Sequence, residues 1–242
     1  IRRIIKKAKR SIPKPISYRL SRLRRLHRNL TCPYTASKLT NITIRILESV
    51  KEPFFIFAHY WNTHEPYTAP EKFYKIFKPK KSEETHLLEE FFSHIDPNDL
   101  RLQISRMFHG AETVEEVVAR YDASIRYVDE ELGRLFRYME KRGLTHETLL
   151  IITSDHGESL WEHGIPFDHH GLYDASIHVP LIISGEALGV KGKRIKGLVQ
   201  HIDLVPTILD LLKIPYNLEE FDGFTLKPTL MEEKPIEREF VY

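Results

Sequence analysis

Cysteine occurs once in the 242 residues, as Cys32, so no internal disulfide holds the fold and no oxidising compartment is needed to form it. Long hydrophobic runs are missing too. None approaches the roughly 18 residues of a membrane span, and the opening stretch is too basic and too poor in apolar residues for a secretory leader. The compartment stays open, with a lean toward the cytoplasm because these residues carry neither leader nor span. Acidic side chains are absent from residues 1–30, which carry 12 Lys or Arg. The remaining residues hold 24 basic against 34 acidic side chains, so the net charge of +2 conceals a basic head on an acidic body. No internal repeat or low-complexity segment follows that head.

What is present suits a globular chain: 41% of the residues are hydrophobic and 29% charged, enough for one large or two small cores. In the head, Leu20, Leu23, Leu26 and Leu30 recur near helical spacing inside "RLSRLRRLHRNL". A solvated helix or linker with one apolar stripe is the expectation. An anionic membrane or nucleic acid bound through residues 1–30 is the alternative. Pro13, Pro15 and Pro33 prevent one continuous helix there. The organisation read from the chain is a basic connecting segment at 1–34, an α/β body at 35–230 with a charged insertion at 78–110, and a tail at 231–242.

Periodicity predicts a helix from Thr35 to Val50 on Leu39, Ile42, Ile46 and Leu47, and a long amphipathic helix from Thr113 to about Arg142, stopped by Gly143. Three apolar runs of strand length, "FFIFAHY" at 54–60, "TLLIIT" at 148–153 and "VPLIIS" at 179–184, read as strands buried in a parallel sheet. A last helix is expected at 203–214, with Asp203 as its N-cap and Pro206 in its first turn. Helix and strand alternate, which implies an α/β sandwich with a largely parallel central sheet flanked by helices.

Two of these runs end in polar clusters, where open α/β sheets build their sites. "HYWNTHEPY" brings His59 and His64; "SDHGESLWEHGIPFDHHG" brings Asp155, His156, His163, Asp168, His169 and His170. With His178 they account for seven of the 13 histidines. Asp155 and His156 are adjacent, so they can share a target only where the strand unwinds, and Gly157 permits that. A divalent cation accounts for the pair: it offsets a carboxylate that is costly to bury and takes a neutral imidazole as nitrogen donor.

These segments carry a resemblance. "PYTASKLTNITIRILESVKEPFFIFAHYWNTHEPYTAP", "YDASIRYVDEELGRLFRYMEKRGL", "TLLIITSDHGE", "EHG", "HGLYDASIHVPLII", "HIDLVPTILDLL" and "DGFTLKP" follow one another as in the sulfatases of the alkaline phosphatase superfamily, over about residues 33–230. The resemblance implies part of an alkaline phosphatase-like domain that hydrolyses sulfate esters of a small molecule or glycan with one divalent ion. By family position Asp155 and His156 are metal ligands. His64 contacts the sulfate or protonates the leaving oxygen. His170 lies near a sulfate-binding Lys or His, with His169 and His163 as neighbouring substrate contacts.

The chain also departs from the family pattern. The nucleophile motif C/S-x-P/A-S/A-R and the early Asp pair of the family are absent: Cys32 stands in "CPYTAS" and Ser11 in "SIPKP", neither with the arginine. The expectation is a middle and C-terminal portion that is inactive alone. Family members with calcium sites commonly place Asn after the metal Asp, whereas this chain has His156, which leaves calcium, manganese and zinc as candidates and favours the nitrogen-tolerant two. Phosphodiester and phosphonate monoester hydrolysis are the alternatives within the superfamily. A non-catalytic remnant that binds anionic surfaces through residues 1–30 is the alternative outside it.

Overall fold

The computed structural model describes residues 35–80, 86–91, 108–165, 167–185, 192–232 and 234–241. The basic head with Cys32 and much of the 78–110 insertion lie outside them. The chain divides into two compact units, Ile1–Tyr138 with Glu158–Asp168, and Met139–Gly157 with His169–Tyr242.

In the first unit, α1 (Ala36–Ser49) starts where Thr35 accepts a hydrogen bond from the Lys38 amide, as an N-cap should. The short helices α2 (Glu71–Phe77) and α3 (Leu88–Phe91) follow, then the long α4 (Val114–Lys141), with Glu115 and Glu116 in its first turn. One face of α4 gives Ala119, Ala123 and Tyr127 to a core shared with Ala36, Phe73 and Tyr74. Alanine at two of those positions lets the helices approach closely. Arg134 then ties α4 to α1, donating to Asn41 Oδ1 at 2.7 Å and to Ser37 O at 3.2 Å. A second core gathers Tyr67, Leu88, Phe108, Ala111, Val117 and Phe167.

The "FFIFAHY" run is not a buried strand. Phe54, Ile56, Ala58 and Tyr60 are half-buried, while Phe55 is 80% and Phe57 81% exposed. The period of two is that of a strand, but no ladder forms on this run among the described residues. Its inward side is held by contacts such as Tyr60 Oη to Thr40 Oγ1 at 2.9 Å.

Helix α4 enters the second unit at Met139 and ends at Lys141, two residues before Gly143, whose φ of 68° is the left-handed stop expected there. Strand β1 (Leu150–Thr153) pairs with β2 (Leu181–Ser184), Leu150 opposite Ser184 and Thr153 opposite Leu181. The pairing is antiparallel, which corrects the expected parallel order for this pair. A parallel return normally runs through a crossover helix that packs on the sheet. Between these strands the described residues form the three-residue turn Glu162–Gly164 and the four-residue helix α5 (Asp174–Ile177), both too short for such a crossover. Neither strand is buried on both faces; Ile182 is 54% exposed.

Helices α6 (Leu204–Leu211) and α7 (Lys227–Glu232) close the second unit. Asp203 precedes α6 but does not cap it with its side chain, another correction. Its carboxylate is wholly buried and taken by stronger donors: Arg238 Nη1 at 2.6 Å, Arg238 Nη2 at 2.8 Å, the Gln200 amide at 2.8 Å and the Phe224 amide at 3.1 Å. Thr207 donates to Asp203 O at 2.6 Å and accepts from the Leu226 amide at 2.8 Å. The "HIDLVPT" and "DGFTL" stretches are therefore sewn together by two buried polar side chains.

Candidate active site

His64 sits in a compact loop of the first unit. Asn62, 1% exposed, fastens the loop by donating from Nδ2 to Thr68 O at 2.9 Å and to Thr68 Oγ1 at 3.0 Å. The Tyr67 amide closes on His64 O at 3.0 Å. The imidazole stacks on Trp61 with centroids 4.7 Å apart, and Nδ1 lies 3.0 Å from Glu65 O. A carbonyl can only accept, so Nδ1 carries the hydrogen and the ring's lone pair is on Nε2. Burial raises the pKa of Glu65 and, more strongly, that of Tyr67, which the Glu158 carboxylate raises further. Left-handed backbone at Tyr67, Trp161, His163 and Phe167 marks the loops of this unit as strained. His163, at φ 60°, is exposed on the turn Glu162–Gly164.

The other expected site residues lie in the second unit. After Thr153 the chain leaves β1 and turns. Ser154 Oγ donates to His156 O at 2.6 Å, and the Gly157 amide donates to Ser176 O at 2.7 Å. Gly157 is not needed for a left-handed conformation. It is needed for space, because a Cβ there would stand 2.0 Å from Ala175 O. The strand end is also less enclosed than expected: Asp155 is 68% exposed and His156 27%. Burial of charge is thus not what calls for a cation at this pair.

Geometry is. His156 Nδ1 donates to Gly157 O at 2.7 Å, which places the ring's lone pair on Nε2, 3.8 Å from Asp155 Oδ1. That separation is too long for a hydrogen bond. Donors that each stand about 2.0–2.2 Å from one ion reach at most roughly 4.4 Å apart, so the two atoms fit as ligands of a single divalent ion. The tie from the distal ring nitrogen to a carbonyl is the support that metal-binding histidines usually have. His169 stacks on His156 with centroids 3.9 Å apart, and His170 on His169 at 5.4 Å. One ring nitrogen of His169 lies within 4.8 Å of one of His156. The second unit therefore brings together Asp155, His156, His169 and His170; His64 and His163 belong to the first.

Sequence reasoning missed the residues that hold the site residues: Asn62, Ser154 and His201, whose Nε2 lies 2.7 Å from Ser154 O. A polar side chain inside each motif was the available signal. Its partner, far away in sequence for His201, was not.

Comparison with known proteins gives these contacts a family. The chain is 30% identical over 232 residues to the multifunctional alkaline phosphatase superfamily protein PehA of Trinickia caryophylli, covering 84% of this chain and 43% of that protein. It is also 30% identical over 190 residues to the choline-sulfatase of Rhizobium meliloti (strain 1021), covering 74% and 35%. It thus spans less than half the length of these relatives. Among solved structures, the phosphonate monoester hydrolase of Agrobacterium radiobacter superposes with a TM-score of 0.65 at 25% identity, over 86% of this chain and 45% of that one. The fold is that of the alkaline phosphatase-like hydrolases. The sulfatase family profile matches residues 23–214, a span that takes in the His64 loop, the Asp155–His156 turn and the buried Asp203, and the chain belongs to the sulfatase family.

Proposed function

We propose that this chain supplies the metal-binding and part of the anion-binding surface of a sulfuric ester hydrolase. The observation that carries the reading is the 3.8 Å between Asp155 Oδ1 and His156 Nε2, with His156 Nδ1 committed to Gly157 O. A divalent ion held there supplies charge to stabilise the oxygens of a sulfate ester as its S–O bond breaks. Asp155 and His156 orient that charge. His169 and His170 offer imidazole N–H groups to the nonbridging oxygens, and exposed His163 is a further contact for the substrate. By family position His64, whose ring is oriented by Trp61 and Glu65 O, is the group that takes up a proton at Nε2 and gives it to the leaving oxygen. Histidine suits that task near neutral pH.

In this reading the attacking group comes from outside these residues, since no C/S-x-P/A-S/A-R motif occurs among them and the relatives are more than twice as long as the aligned span. Preparations of the 242-residue chain with Mn2+ should leave an aryl sulfate intact, whereas a preparation that spans the relatives' full length should cleave it. Turnover by the shorter chain, abolished by His64→Ala, would place the nucleophile within it and contradict the reading.

The second reading, a phosphonate monoester or phosphodiester hydrolase, is favoured by the imidazole at position 156 and by the likeness to the Agrobacterium radiobacter enzyme. Turnover of aryl sulfate against aryl phosphonate and phosphodiester by the full-length preparation separates the two. A sulfated small molecule or glycan is the substrate class for the first.

A further inference from the structure

The turn that carries Asp155 and His156 is gripped from a distant part of the sequence. His201 Nε2 lies 2.7 Å from Ser154 O, and because a carbonyl only accepts, that nitrogen donates. Ser154 precedes Asp155 and at the same time holds His156 O through its hydroxyl at 2.6 Å. His201 is itself well placed to grip. It opens the turn His201–Asp203, which is closed by Asp203 N to Gln200 O at 3.0 Å and Gln200 N to Asp203 Oδ2 at 2.8 Å, with Arg238 on the same carboxylate at 2.6 Å. The imidazole is thus presented by a rigid, buried ion pair rather than by a loose loop.

We propose that His201 is a positioning residue. By donating to the Ser154 carbonyl it sets the peptide plane that enters Asp155, and through Ser154 it keeps His156 in the arrangement in which Nδ1–H meets Gly157 O and Nε2 faces Asp155. The opposite end of the turn is held by Gly157 N on Ser176 O at 2.7 Å, so the ligand-bearing residues lie between two clamps. The functional meaning of this clamp rests on Asp155 and His156 being ion ligands; its structural content does not. An exposed hydrogen bond of purely structural use adds a little stability and leaves the His156 ring as it was.

The experiment compares wild type, His201→Phe and His201→Gln in the 242-residue chain. Phenylalanine fills the space without a donor, and glutamine restores an N–H. Side-chain 15N NMR of the metal-free proteins reads the His156 tautomer; titration with Mn2+ reads the affinity. The Nδ1–H form should dominate in wild type, give way to a mixture in His201→Phe and return in His201→Gln. Mn2+ binding should weaken roughly 10- to 100-fold in His201→Phe, the range for losing the support behind a metal ligand. An unchanged His156 tautomer in His201→Phe, equal Mn2+ affinity, or failure of glutamine to restore the wild-type signature would each overturn the proposal. Should the tautomer respond as described while wild type takes up no Mn2+, the clamp stands and the metal reading of Asp155 and His156 falls.

Discussion

Arg238→Ala should destabilise the second unit by about 3–5 kcal/mol, the cost of leaving one member of a buried ion pair alone. Asp203 is 0% exposed and Arg238 11%, and the guanidinium meets both carboxylate oxygens, at 2.6 and 2.8 Å, while its carbon lies 4.2 Å from the centre of the Phe224 ring. Truncation removes two charge-assisted hydrogen bonds and that stacking, and the Gln200 and Phe224 amides remain as the donors to a buried charge. Lysine at 238 should recover little, because it lacks the planar fork. The same pair sets an acid limit. Burial pushes the Asp203 pKa up, but the Arg238 hydrogen bonds and the two amides outweigh it and hold the pKa below the usual carboxylate range. The unfolded chain then binds the proton first, so this stabilisation is complete above about pH 4 and is lost as pH falls through the lowered value. Urea denaturation at neutral pH and near pH 3 checks both statements: the deficit of Arg238→Ala relative to wild type should shrink at the lower pH. A deficit that does not change with pH would show that packing, not charge, dominates.

Gly157→Ala is the second large effect. The added Cβ would stand 2.0 Å from Ala175 O, 3.0 Å from Ala175 C and 3.3 Å from Ser176 C, all backbone atoms, so no side-chain rotation relieves it. Either α5 moves away or the 154–158 turn does, and the second choice breaks the Gly157 amide bond to Ser176 O. The cost should be about 3 kcal/mol, the upper end for overpacking. His156 should also lose its carbonyl partner, since Gly157 O accepts from Nδ1. Denaturation midpoints measure the first consequence and the His156 side-chain NMR signals the second. A variant with wild-type stability and an unchanged His156 signal would mean that this turn is not packed against α5.

These two residues show where the sequence could be read and where it could not. Helices α1 and α4 were legible because their apolar positions recur at helical steps and because Thr35 and Gly143 are local signals for a start and a stop. Strands β1 and β2 were legible as apolar runs, but their direction was not, since it depends on what the intervening chain does in space. "FFIFAHY" has the composition of a buried strand and, with no ladder on it among the described residues, an alternating exposure; burial depends on neighbours that the run itself does not encode. In the site, the residue types were legible from motif order: Asp155 and His156 emerged as a pair, and in the structure Asp155 Oδ1 and His156 Nε2 lie 3.8 Å apart. The role of Gly157 was not, because space around a glycine is a property of Ala175. Asp203 looked like a cap from its position before a helix, yet its partner stands 35 residues away at Arg238.

Everything functional turns on whether the acid and imidazole beyond β1 hold an ion. The direct measurement is titration of the 242-residue chain with manganese, zinc and calcium in turn, by calorimetry, alongside Asp155→Ala and His156→Ala. One equivalent of manganese or zinc should bind to the wild type, and each substitution should weaken it by more than roughly 100-fold, beyond the loss expected for a supporting residue. Binding that is the same in all three proteins, or absent from the wild type with every ion, would contradict the assignment of Asp155 and His156 as the metal site.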